Sequence, residues 1–283
     1  MKYLLVASIL VAGSCSKPSA PSADAARACA RRHSAQSFQV LDLVSRRIED
    51  FFGRRQPGVD AFSEELFGLR GKWRALFWSR EDFETHVRRR FQARVFRPED
   101  FEREVVEAVR EDLVFAIEAS EAGLAADLNG WARASREGVR TTDVKPELSR
   151  MVASLVVKDL GLNVASIAGS EVAALAASAI LTRAGVFGAS VAAGAGTSWM
   201  TMGISLIVGT IVGIVIDAVI GDELEDTARE TIRFEMDALR RKMMESEDGL
   251  WRAARRALEA HGRALERSAG LLTEGSGHDA VRL

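Results

Sequence analysis

The sequence predicts an all-α fold, a helical bundle with a central Gly/Ala-rich hydrophobic helical hairpin, on three observations. Apolar residues recur three to four apart through most of the chain beyond Gln36, the spacing of one buried helical stripe. No stretch alternates with the two-residue period of a strand. Helix-start chemistry also appears where the periodic segments begin, as at Ser79 and Pro98. The chain has 283 residues, 47% of them hydrophobic, and a net charge of −2. That length suits one or two domains, and the near-neutral charge argues neither for nor against an anionic partner.

The elements follow in chain order. Residues 1–14, MKYLLVASILVAGS, combine an early Lys2 with an apolar run from Tyr3 to Ala12 and small residues ahead of Cys15. This is the layout of a secretory signal peptide, too short to cross a bilayer comfortably. Residues 15–35 are rich in Ser, Ala and Pro and poor in large apolar groups, which predicts a flexible tether. Folding is expected from Gln36. Over 36–135 an N-terminal bundle of about four helices is predicted. Phe38, Leu41, Val44, Ile48 and Phe51 form one stripe on a helix expected to end near Gly53. A second helix is expected over Asp60–Trp78, with Phe62, Leu66, Leu69, Trp73, Leu76 and Phe77 inward. Phe67, Trp73, Phe77 and Phe101 are all expected to be buried. Ser79 reads as an N-cap with Glu81 and Asp82 in the first turn, where the helix dipole favours acids. Pro98 suits a first helical position. Gly138, Thr141, Thr142, Asp143 and Pro146 then mark a loop, with a helix start near Pro146.

The region 147–221 holds the feature on which function turns. From Ala184 to Ile216 there is no charged residue. The run exceeds the roughly 20 residues that cross a hydrocarbon core, and Gly194-Ala195-Gly196 offers a turn. Glu171 and Asp217 lie about equally far from Ala195, roughly 33–36 Å at helical rise, so a hairpin with its tip there has both charges at one wet end. Gly203, Gly209 and Gly213, the last two a G-x-x-x-G pair, would let two backbones approach. Arg183 falls midway along the first arm, where a bilayer would charge on the order of 3 kcal/mol for it. Residues 222–272 read as two C-terminal amphipathic helices broken near Asp248-Gly249, and 273–283 as a tail.

The motifs of enzymes are missing. His33, His86, His261 and His278 show no H-E-x-x-H spacing, no G-x-S-x-G elbow occurs, and Gly68-Leu69-Arg70-Gly71-Lys72 lacks the full glycine spacing and the hydroxyl residue of a phosphate loop. No enzyme, no cofactor and no metal is therefore expected. In HVRRRFQARVFR, the residues Arg88, Arg89, Arg90 and Arg94 interleave with Phe91 and Phe96. They suit either contact with anionic lipid or a solvated face paired with acids of the following helix.

The ending Val11-Ala12-Gly13-Ser14-Cys15 resembles the lipobox of bacterial lipoproteins, with Ala12 where Leu is usual. The resemblance covers these residues alone. It implies that Cys15 is diacylated, that Cys29 is left as an odd thiol without a disulfide framework, and that Ser16 permits outer-membrane sorting. A spanning hairpin pulls against that sorting, so inner and outer membrane both stay open. The hairpin is similar in architecture only to those of helical pore formers. The function expected is a non-enzymatic, lipid-anchored, periplasm-facing envelope protein that presents or shelters a membrane-interacting hairpin. The alternatives are a soluble periplasmic binding or scaffold module with the hairpin as its core, and a secreted pore-forming effector. Membrane lipid, an envelope protein or a second copy are the partners expected, and nucleic acid is not.

Overall fold

A computed structural model describes residues 22–135, 144–160, 208–213, 224–247 and 249–274. Among these residues every element is helical and none is a strand. The order is α1 (Ala23–Ser37), α2 (Val40–Phe67), α3 (Leu69–Phe77), α4 (Arg80–Arg94), α5 (Pro98–Phe101), a π turn (Glu102–Val106), α6 (Glu107–Ser135), α7 (Lys145–Leu160), α8 (Leu224–Glu245) and α9 (Leu250–Glu274). Residues 208–213 are helical as well.

Two expectations about boundaries are corrected. Where a tether was expected over 15–35, the chain is already helical from Ala23. Ser22 caps this helix by accepting from the Ala25 N–H. Ala26, Cys29 and Ala30 are fully buried on one face, in a cluster with Leu124 of α6, Leu148 of α7 and Leu265 of α9. Small side chains need no large apolar area to hold a helix, because alanine has the highest helix propensity and lets a neighbouring helix come close. A second correction concerns α2, which passes Gly53 and Pro57 without ending. Pro57 removes one helical hydrogen bond, to the carbonyl of Gly53. Both residues lie on the exposed side, where water can serve that carbonyl. The buried stripe of Ile48, Phe51, Val59, Phe62 and Leu66 runs on uninterrupted beneath them. Gly58 lets α2 touch the end of α4, since a Cβ there would collide with the backbone carbonyl of Arg94.

The caps follow the sequence. Ser79 accepts from the Asp82 N–H at 3.1 Å, and the Arg97 N–H donates to Asp100 Oδ2 at 3.0 Å ahead of Pro98 at the first helical position. The main core is aromatic. Phe51 meets Phe96 and Phe101 edge-on with ring centroids 5.3 and 5.1 Å apart, and Phe62 meets Phe91 in the same way at 5.6 Å. This is the arrangement the ring quadrupole favours. The same core takes in Ile232 and Met236 of α8 and Leu250 and Leu258 of α9. The C-terminal helices, separated from 36–135 in the sequence, thus share its core. Arg47 clamps α2 to α6 with two bonds to Asp112, at 2.6 and 3.1 Å.

Candidate functional site

The strongest surface feature is α3. Gly68 turns extended at φ −60°, ψ 163° and ends α2. Ten residues later Trp78 is extended too. Sequence spacing predicted that this segment buries its large residues, and the structure corrects that. Leu69, Trp73, Leu76 and Phe77 are exposed, Trp73 by 56% and Phe77 by 70%. Phe67 and Phe101 are buried as expected, each with no more than 3% exposed. The cause is the break at Gly68. A helix running on from α2 would keep its stripe on the core, but the bend gives α3 a new direction, and no described helix covers its apolar face. Trp73 and Phe77 instead stack on each other with centroids 4.9 Å apart.

The sequence of this segment is cationic. Between Glu65 and Glu81 the sequence carries Arg70, Lys72, Arg74 and Arg80 and no acid. Arg74 ties α3 to α4. Its Nη1 lies 3.1 Å from His86 Nε2, and its guanidinium sits 5.4 Å over the Trp78 ring. Arginine can only donate, so His86 Nε2 must accept and the imidazole is neutral there. Burial lowers the His86 pKa, with the positive charges of Arg74, Arg90 and Arg89 acting in the same direction and Glu65 against them.

The basic cluster on α4 is partly compensated, two carboxylates meeting three of its arginines. Arg88 pairs with Glu84 at 3.1 Å, while Arg90 and Arg94 share Glu65 at 3.0 and 3.1 Å. Arg89 is exposed. The acids that pair lie on α4 itself and on the preceding α2, not on the following helix as the sequence reading expected.

Of the hairpin residues, Arg183, Gly194, Gly196, Gly203 and Asp217 lie outside the described residues, as does Cys15. Gly209 and Gly213 fall within 208–213. There Val208, Ile211 and Val212 are buried in the aromatic core, whereas Gly209 is exposed. Among the described residues nothing approaches within 4 Å of a Cβ placed on either glycine. The large side chains of this stretch, not its glycine pair, meet the described body. No helix among the described residues is long and apolar enough to cross a membrane.

Two polar clusters escaped the sequence reading. The first ties α6, α7 and α9. Glu121 Oε2 accepts from Ser149 Oγ at 2.6 Å, and its Oε1 lies 3.2 Å from the buried His261 Nε2. The second joins α1 to α6. The Cys29 thiol donates to Asp127 Oδ2 at 3.0 Å, and His33 Nε2 lies 2.9 Å from the same oxygen. Cysteine and histidine four apart project from one face of α1, and that spacing was the available signal. Their partner is 98 residues away from the cysteine, beyond any local pattern. Burial first, then the hydrogen bond and charge of Asp127, push the Cys29 thiol up to about 12. Burial works against ionisation of Asp127, but the hydrogen bonds from Cys29 and His33, aided by the His33 and Arg32 charges, outweigh it and hold the carboxyl below its usual range. A thiol so disposed is a poor nucleophile, because the thiolate is the reactive form. The three side chains are metal-ligand types brought together in this part of the fold.

Comparison with known proteins returns no matching family model, no matching curated protein and no matching solved structure.

Proposed function

We propose that the chain is a non-enzymatic, lipid-anchored envelope protein whose helical body lies against a membrane through α3 and holds the uncharged hairpin beside it. The exposed Leu69, Trp73, Leu76 and Phe77 of α3, with Trp78 just beyond it, are the observation that carries this reading. Tryptophan and phenylalanine beside cations suit the boundary between headgroups and acyl chains, where rings bury in the apolar layer and arginine meets phosphate. Each cation near an anionic surface adds about 1 kcal/mol, and residues 66–80 supply four with no acid. The occupant of this face is thus an anionic lipid bilayer. An acyl chain on Cys15 and insertion of the α3 face act together, since a single weak anchor gives only reversible attachment.

A second reading has its own observation. Val208, Ile211 and Val212 are buried in the core, which favours a body that shelters the second hairpin arm in the manner of a binding or scaffold module.

Vesicle flotation of the full chain carrying Cys15→Ala separates these. The protein should float with vesicles containing phosphatidylserine, less so as salt rises, and Trp73→Ser with Phe77→Ser and Trp78→Ser should weaken flotation at least tenfold. Equal flotation of this triple variant would place the membrane contact elsewhere, and no flotation of the parent would leave the sheltering module as the better reading.

A further inference from the structure

We propose that Cys29, His33 and Asp127 form a binding site for one divalent transition cation of the zinc type, which clips α1 to α6. Neither the lipid anchor nor α3 takes part in it.

Thiolate, imidazole and carboxylate are the three ligand types zinc takes, and three protein ligands with an open fourth position make a solvent-accessible site. Their ligand atoms lie within 4.8 Å of one another. Around a tetrahedral zinc, such atoms stand about 3.4–3.6 Å apart, given metal–ligand lengths near 2.0–2.3 Å. The observed 3.0 Å from Cys29 Sγ and 2.9 Å from His33 Nε2 to Asp127 Oδ2 open to those values by about half an ångström. The protons that both groups now direct at one carboxylate oxygen occupy the space a cation would take. On binding, the thiol loses its proton to solvent as the S–metal bond forms, and the imidazole offers Nε2 in its Nδ1–H tautomer. Soft thiolate with imidazole favours zinc over the hard cations magnesium and calcium, which take oxygen ligands.

The fold also makes room for the ring. Gly123 lies one turn before Asp127 on α6, and a Cβ there would stand 2.6 Å from both Cε1 and Nδ1 of His33. Only glycine lets the imidazole lie against the α6 backbone with Nε2 toward the carboxylate. Burial of Cys29 sets the inner side of the site, while the half-exposed Asp127 side chain, 46% accessible, leaves the fourth position to water. Arg32 adds a positive charge beside Cys29 and Asp127. With a thiolate and an ionised Asp127 the surroundings carry a net charge of about −1, which still attracts a divalent cation.

Cobalt serves as the optical probe, in the full chain with Cys15→Ala so that Cys29 is the one thiol present. Stoichiometric Co²⁺ should give a thiolate-to-cobalt charge-transfer band in the near ultraviolet, displaced by one equivalent of Zn²⁺, and Zn²⁺ should raise the unfolding midpoint. Cys29→Ser should abolish the band, while His33→Gln and Asp127→Asn should each weaken Co²⁺ binding at least tenfold. Gly123→Ala, which removes no ligand, should weaken it several-fold by displacing His33. Should the parent chain, folded by circular dichroism, give no charge-transfer band, or should the band survive Cys29→Ser, the site is not a metal site.

Discussion

Two groups of aromatic residues in this chain meet opposite fates. Phe51, Phe62, Phe91, Phe96 and Phe101 are all buried, most with ring faces and edges interlocked, while Trp73 and Phe77, which begin only a few residues beyond the end of α2, stand in solvent. Both groups have helical spacing. The difference teaches that periodicity defines a face but not its partner. A phenylalanine on α2 has α4, α5 and α6 to pack against. Among the described residues, α3 packs mainly on its neighbours α2 and α4, and Trp73 stays more than half exposed.

Truncation separates the groups most sharply. Phe51→Ala removes a fully buried ring from the centre of the edge-on cluster and should cost about 3–5 kcal/mol of unfolding free energy, read by denaturant titration. Trp73→Ala should cost less than about 1 kcal/mol, as an exposed substitution does, while weakening the association with anionic vesicles. A loss as large as that of Phe51 would mean that α3 is packed in solution. The two measurements together therefore ask whether the aromatic groups differ in role or only in position.

The smallest effect concerns how α3 is held. His86 accepts from Arg74 only when neutral, and its pKa is lowered in the folded state. The unfolded chain then binds a proton more readily, near the ordinary histidine value of about 6.5. This contribution to stability is present above that pH and is lost as pH falls below it toward the folded value. Arg74, Arg89, Arg90 and Glu65 face the ring throughout. Acidification below about pH 6.5 should thus increase hydrogen exchange in α3 before the aromatic core responds. His86→Gln, which can accept the same bond without titrating, should remove that pH dependence. Persistence of the acid effect in His86→Gln would assign it to another group.

Much of the secondary structure was legible. The cap at Ser79, the start at Pro98, the beginning of α7 at Lys145 and the break between α8 and α9 are local, set by side chains that bond or fail to bond the first and last turns. The misjudged places were those where local composition and tertiary packing compete. Residues 23–35 look like linker because alanine and serine offer little area to bury, yet Ala26 and Ala30 pack because α9 comes close. Gly53 and Pro57 look like a stop, yet the stripe beneath them is held by the core. Of the surface arginines, spacing alone allowed lipid contact for Arg88, Arg90 and Arg94, and the one acid that Arg90 and Arg94 share, Glu65, sits on another helix.

The sequence by itself determined that the chain is helical, which segments begin and end with caps, and that its apolar residues, many of them aromatic, recur at helical spacing. These follow from propensity, periodicity and bonds within a few residues. Only the tertiary structure decided which aromatics are inside, that Val208, Ile211 and Val212 join the core, and that Cys29 and His33 meet Asp127. The last contact spans 94 residues or more. Bringing α1 beside α6 depends on small side chains and on Gly123 leaving room for an imidazole. Such a meeting depends on the relative placement of two helices, and periodicity within each helix carries no information about that placement.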